Sequence, residues 1–307
     1  MITIESGAMR GFLSRLRWII GAGLLALVLA GCSAVRLGYS QGPSLAYWWI
    51  DGYVDVSGEQ TPRLRAAIDD WFDWHRRTQL PEYAALLARA QREVMEPASA
   101  AQMCAWRDLV LRRVDAAVDR ALPAVAPLAM TLTPEQLRHV AARLAKGSSE
   151  WRADFAQPDR AERARAVFKR TLERYESFYG RLDEAQRARL AQLLAASSFD
   201  PERWLTEREA RHADLLRTLA SLRTAPDPEQ ARQLAVALGE RLLRSPRAEY
   251  RDHAQRTVLE SCAQAATMHN LMTPAQRARA RERLKAWEED ARTLAAAAHP
   301  AAQAREL

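Results

Sequence analysis

Glycine is scarce in this chain, with 12 in 307 residues. Loops that cradle phosphate need glycine so that backbone amides can approach the anion. No phosphate-binding glycine loop is present, and neither a nucleophile elbow nor HExxH occurs. Strand-like alternation of β-branched residues is also missing, which argues against a sheet. Lysine is limited to Lys146, Lys169 and Lys285. Cysteine occurs three times, without CxxC or zinc-type spacing. These absences leave no catalytic residue, metal site, cofactor or small-molecule ligand to predict, and the expectation is a protein that is not an enzyme.

What is present begins with a leader. Arg10, Arg15 and Arg17 form a positive n-region. Trp18 to Leu29 form an apolar run of about a dozen residues, the layout of a secretory signal. The run falls short of the roughly 20 residues that a membrane span needs. It ends in Leu29-Ala30-Gly31-Cys32, a bacterial lipobox. This predicts a signal peptide over residues 1–31, with Cys32 as the first mature residue and the site of lipidation. Two or more acyl chains on one residue anchor stably where one chain is marginal. Ser33, in place of Asp at the next position, resembles the pattern sorted to the outer membrane in Gram-negative bacteria. The expected location is therefore the periplasmic face of that membrane.

Net charge is +7, and losing Glu5 with the three leader arginines lowers it to about +5. The arginines alternate with acids along helices, as in Arg281-Glu282-Arg283, which makes solvated faces rather than a nucleic-acid footprint. No nucleic-acid partner is expected. Cys104 and Cys262 remain after Cys32, and an even pair in an oxidising compartment predicts one disulfide.

From Thr61 onward the pattern is helical, with starts written in capping residues. Thr133-Pro134-Glu135-Gln136, Thr273-Pro274-Ala275-Gln276 and Asp183-Glu184-Ala185-Gln186 each place a cap residue three before glutamine. Asp227-Pro228-Glu229-Gln230, Asp200-Pro201 and Thr61-Pro62 are further starts, and Gly180 and Asn270 suit left-handed C-caps. The coarse helices are 62–77, 81–95, 100–122, 134–153, 159–179, 183–196, 201–222, 228–244, 247–269 and 274–295. Short connections favour antiparallel hairpins. The predicted fold is all-α, a bundle or array of about ten helices over residues 61–295. A lipidated tether and aromatic lead-in precede it over 32–60, a weak seam lies near 154–160, and a disordered tail follows over 296–307.

The densest segment is Trp71-Phe72-Asp73-Trp74-His75-Arg76-Arg77. Trp71, Trp74, His75 and Arg76 form either a partner contact, since aromatics and arginine dominate hot spots, or the packed core of a hairpin. Glu209 and His212 supply one Glu-x-x-His, where di-iron bundles need two.

Two resemblances enter here. Tyr47-Trp48-Trp49-Ile50-Asp51-Gly52-Tyr53-Val54-Asp55, with Trp74-His75-Arg76-Arg77 and Leu80-Pro81-Glu82-Tyr83-Ala84, is similar to an uncharacterised family of Gram-negative lipoproteins carrying a domain of unknown function. That resemblance implies a helical envelope lipoprotein and supplies no site residues. Leu132-Thr133-Pro134-Glu135-Gln136 and Met272-Thr273-Pro274-Ala275-Gln276 resemble the LTxxQ motif of small periplasmic stress chaperones, or are simply a recurrent helix cap. The expected function is a non-enzymatic interaction or structural protein of the envelope, bound to the membrane by its lipid and to a protein partner. A chaperone-like helical protein is the alternative, and a helical enzyme the third.

Overall fold

The computed structural model describes residues 31–297, with side chains from residue 35 onward. Residues 1–30 and 298–307 lie outside the described residues, and with them nearly all of the expected signal peptide (1–31) and most of the expected tail (296–307). Among the described residues the chain is all-α, without strands. It divides into two units, the boundary falling between Gly42 and Pro43. The first holds α1 (Gly31–Ser40), in which Val35 and Leu37 are exposed.

The second unit contains α2 (Gly42–Val54), α3 (Thr61–Trp74), a π-helical turn His75–Gln79 and α4 (Leu80–Glu93). It continues with α5 (Ala100–Ala129), α6 (Pro134–Phe155), α7 (Arg160–Tyr179), α8 (Glu184–Ala195) and α9 (Pro201–Arg223). It ends with α10 (Pro228–Leu243), α11 (Ala248–Asn270) and α12 (Pro274–Ala296). The aromatic lead-in is therefore itself helical. Residues 156–159 are the connection between α6 and α7.

Three apolar clusters organise this unit. Leu182, Leu190, Met268, Met272, Ala280 and Leu284 are buried together where α4, α7, α8, α11 and α12 meet. Val140, Leu219, Leu222, Ala231 and Ala235 join the C-terminal end of α5 in a second cluster with α6, α9 and α10. Tyr47, Leu64 and Ile68 pair α2 with α3. Helix α5, about 45 Å long at 1.5 Å per residue, touches α3, α9, α10 and α11. Its N-terminal part is bonded to α11 by the Cys104–Cys262 disulfide.

Two helix limits differ from the sequence reading. Helix α5 runs seven residues beyond 122, through Pro123 and Pro127. Each proline deletes one backbone bond, but both are exposed, so water can reach the released carbonyls. Burial of Ala126 and Ala129 holds the turns around them. The break expected near Pro81 is instead a π turn: the Leu80 N–H donates to the carbonyl of His75, five residues back. The wider turn lets α3 pass into α4 without an interruption.

The capping residues do more than start helices. Thr133/Gln136, Asp183/Gln186 and Thr273/Gln276 form reciprocal capping boxes. Two further, unforeseen ones are made by Ser57 with Gln60 ahead of α3 and by Ser99 with Gln102 at the start of α5; Thr61, expected to be the cap, is already helical. Four of these glutamines, all but Gln102, then clasp in pairs. Gln136 Nε2 donates to Gln60 Oε1 at 2.7 Å, and Gln60 Nε2 donates back to Gln136 Oε1 at 3.2 Å. Gln186 and Gln276 do the same at 2.8 and 3.0 Å. Each spare amide hydrogen goes to a carbonyl five residues before the opposite glutamine: Gln60 to Thr131, Gln136 to Asp55, Gln186 to Leu271 and Gln276 to Arg181. Every amide is thereby saturated, which burial demands.

The backbone is shaped to present these carbonyls. Asp55 adopts φ 58°, a left-handed conformation that aspartate tolerates better than most residues. Gly180, at φ 89°, ends α7 just before Arg181, and a Cβ there would meet Arg279 Cδ at 2.9 Å. Asn270 is not left-handed as expected. Its side chain instead exchanges two bonds with the backbone of Ala98.

Breaking one member of a clasp strands a buried amide, costing about 1–3 kcal/mol beyond the lost bond. Gln136→Ala is expected to lower unfolding free energy by about 2–4 kcal/mol, measured by urea titration. Gln230→Ala, at an exposed start without a clasp, is expected to cost under about 1 kcal/mol. A Gln60/Gln136 double-mutant cycle should show coupling of about 1 kcal/mol or more. Replacing both Cys104 and Cys262 by alanine is expected to cost about 2–5 kcal/mol.

Candidate functional site

The aromatic segment chosen from sequence spans the end of α3 and the π turn. Trp71 donates from its indole Nε1 to the carbonyl of Ala117 on α5 at 2.9 Å, and its ring stacks on His75 at 4.9 Å. Trp74 packs against Trp71 at 6.0 Å. His75 is buried, and its Nε2 lies 3.3 Å from the hydroxyl of Tyr83 on α4. Arg113 of α5 faces Tyr83, opposing the rise that burial imposes on the phenol, and also pairs with Glu82. Burial pushes the His75 pKa down, so its ring is neutral at pH 7.

This is the packing of a helical hairpin. Trp71 and His75 are committed to neighbours inside the unit, and His75 cannot reach a partner without parting α3 from α4. Trp74 and Arg76 remain half-buried. Of the two arrangements open to this segment, the packed hairpin is the one observed. It has a histidine and a tyrosine within hydrogen-bond reach of each other.

A second histidine–tyrosine pair went unnoticed in the sequence because its members are 90 residues apart. Tyr179, from α7, donates to His269 Nδ1 on α11 at 2.9 Å. His269 Nε2 donates to the carbonyl of Glu96 at 2.8 Å. A carbonyl only accepts, so the proton sits on Nε2 and leaves Nδ1 to accept. Burial lowers the His269 pKa and raises that of Tyr179, and it pushes neighbouring Tyr175 up to about 12. Arg277 holds the carbonyls of Met95 and His269 beside the pair.

A buried ion-pair network ties α9 to the residues ahead of α11. The Glu207 carboxylate, 3% exposed, accepts from Arg211 at 2.8 Å and from Arg247 at 2.7 Å. Burial would raise its pKa, but the two arginines and Ser245 outweigh that and lower it. Asp214 binds Arg241 alongside at 2.7 Å. His212 faces Ser148 at 3.4 Å while Glu209 is exposed, so the lone Glu-x-x-His gathers no ligand set. Among the described residues no group of three metal-ligating side chains converges. Cys32 lies in the first turn of α1, and its side chain is outside the described ones.

The exposed apolar side chains are the other chemistry on offer. Val110, Leu111 and Val114 stand on the outer face of α5, 56%, 38% and 44% exposed. Leu45, Trp48 and Trp49 stand on α2. The sequence named the aromatic lead-in only in general, since alternation of buried and exposed rings depends on which face meets α3.

The histidine environments set a pH dependence. The folded protein resists protonation of His75, His212 and His269, whose pKa values all lie below 6.5, whereas the unfolded chain accepts protons near that value. Their contribution is thus complete above pH 6.5 and is lost as pH falls below it. Glu207 and the other depressed carboxylates extend the loss further into acid. The thermal midpoint is expected to fall from pH 7.5 to 5.5. His269→Gln should be less stable at pH 7.5 yet show a shallower fall, read by circular dichroism melting.

No curated protein and no solved structure matches this chain. One family model does, described as a family of unknown function (DUF6279), over residues 52–251. The matched stretch takes in the hairpin of α3 and α4, both members of the Gln60–Gln136 clasp and the Glu207 network. With roughly two thirds of its length matched, the chain belongs to this family of unknown function (DUF6279).

Proposed function

We propose that this protein is a lipid-anchored protein of the outer membrane whose helical domain works in the periplasm by holding a protein partner, not by catalysis. The observation that carries the reading is Leu29-Ala30-Gly31-Cys32 behind a positive n-region and a short apolar run. Diacylglyceryl transfer needs a thiol nucleophile, and Cys32 supplies one. Ser33 favours sorting outward. No helix among the described residues is long and apolar enough to cross a membrane, and under this reading the acyl chains provide attachment.

Support for a binding role comes from where the polar chemistry goes. His75, His269 and Glu207 are engaged with internal neighbours. The surface we favour for the partner is the outer face of α5 at Val110, Leu111 and Val114, in place of Trp71–Arg76. Helix α5 is tied at one end by the disulfide and at the other by the second apolar cluster. Its outer face is therefore held rigid before binding, which reduces the ordering cost of association.

The test is metabolic labelling with a palmitate analogue combined with crosslinking in living cells. The native chain should incorporate label and capture one dominant protein at near-equal amount. Cys32→Ala should incorporate none and leave the membrane fraction. Val110→Asp/Val114→Asp should lose the captured protein about tenfold, with helicity unchanged. An unlabelled native chain would overturn the anchor, and undiminished capture by the double variant would overturn α5 as the contact.

A further inference from the structure

Helix α2 has one face in the core and one that the rest of the unit leaves bare. Tyr47, Ala46 and Ile50 pack against Leu64 and Ile68 of α3. On the opposite side Leu45, Trp48, Trp49 and Gly52 follow at the i, i+3, i+4, i+7 spacing of one helical stripe. Leu45 is 59%, Trp48 63% and Trp49 67% exposed. Each indole meets an aromatic neighbour on its own helix, Trp48 with Tyr47 and Trp49 with Tyr53. The stripe carries no charged residue. Asp51 points elsewhere, accepting from the Val56 N–H at 2.9 Å.

We propose that this stripe is the surface on which the helical domain rests on the lipid bilayer, with Trp48 and Trp49 seated at headgroup depth. The inference rests on the lipidation of Cys32. Only 13 residues separate Cys32 from Leu45, a reach of about 45 Å even fully extended, so no lipidated form can carry α2 far from the bilayer. Tryptophan is the side chain that favours this boundary, having a broad apolar body and an N–H that stays hydrated. A short helix lying in the interface with one apolar face needs no span. A docked stripe would add a second hold to the lipid and would orient the domain, so that α2 and its α3 support face the membrane. Substituting the stripe leaves the core contacts of Tyr47 and Ile50 intact.

The test uses the full lipoprotein purified from envelopes and reconstituted in phosphatidylethanolamine–phosphatidylglycerol vesicles with brominated acyl chains, which quench tryptophan on contact. Of the eight tryptophans after Cys32, two lie on the stripe. The native protein should lose about a quarter of its emission relative to unbrominated vesicles, and Trp48→Ala/Trp49→Ala should lose none. The mass of the purified protein reports lipid on Cys32 separately, and circular dichroism reports the fold of the variant. Equal quenching in both proteins, or none in either while Cys32 carries lipid, would overturn the bilayer contact and leave the anchor standing. Absence of lipid on Cys32 would overturn both. A photo-crosslinker at position 48 in living cells should yield lipid adducts, and a protein adduct would assign the stripe to a protein and overturn the inference.

Discussion

A helix start exposes N–H groups that have no partner within the helix, and this protein solves that need in a way that also joins distant parts of the chain. Each clasp glutamine serves its own N-terminus by accepting from the cap residue, then reaches across to an identical group on another helix. One clasp ties the entrance of α3 to that of α6; the other ties α8 to α12. The pairs are separated by 76 and 90 residues, yet each exchanges the same two amide bonds and takes a backbone carbonyl five residues before its partner. Around each lies one of the two larger apolar clusters, with Leu132 beside one clasp and Leu182 and Met272 beside the other. Buried amides this fully satisfied set register in a way that interchangeable leucine and alanine contacts do not.

Between the two clasps runs α5. Its first turns are held by the disulfide to α11, and its last turns by Ala126 and Ala129 in the second cluster. In the chain-entropy view, closing a loop of 158 residues contributes up to about 5 kcal/mol by restricting the unfolded chain. The prolines within α5 weaken it locally on its wet side without breaking it. The histidine–tyrosine pairs and the Glu207 network add polar ties at further crossings. Of these, His269 also takes the carbonyl of Glu96, between α4 and α5.

The bare faces gain meaning against this rigid frame. Two exposed rows among the described residues are apolar: the stripe on α2 and the row on α5. They lie on different helices and face different requirements. The α2 stripe is largely aromatic, uncharged and close in sequence to Cys32. The α5 row is aliphatic, lies among arginines and is held firm at both ends.

The residues that announce helices were legible in the sequence: Thr133, Asp183, Asp200, Asp227 and Thr273 act locally, within one turn, so their effect follows from neighbours in the chain. The same holds for Gly180, whose conformation no side chain tolerates well. The Cys104–Cys262 pairing was legible because two cysteines permit only one partner each. What the sequence could not determine depended on contacts between distant residues. The glutamines of the capping boxes carry no mark of which would pair with which. Pro123 and Pro127 looked like an end because their cost is local, whereas the packing that outweighs it is not. Trp71 and Trp48 are the same residue type on similar helices, and only the placement of α5 and α3 decided that one would be covered and the other left bare.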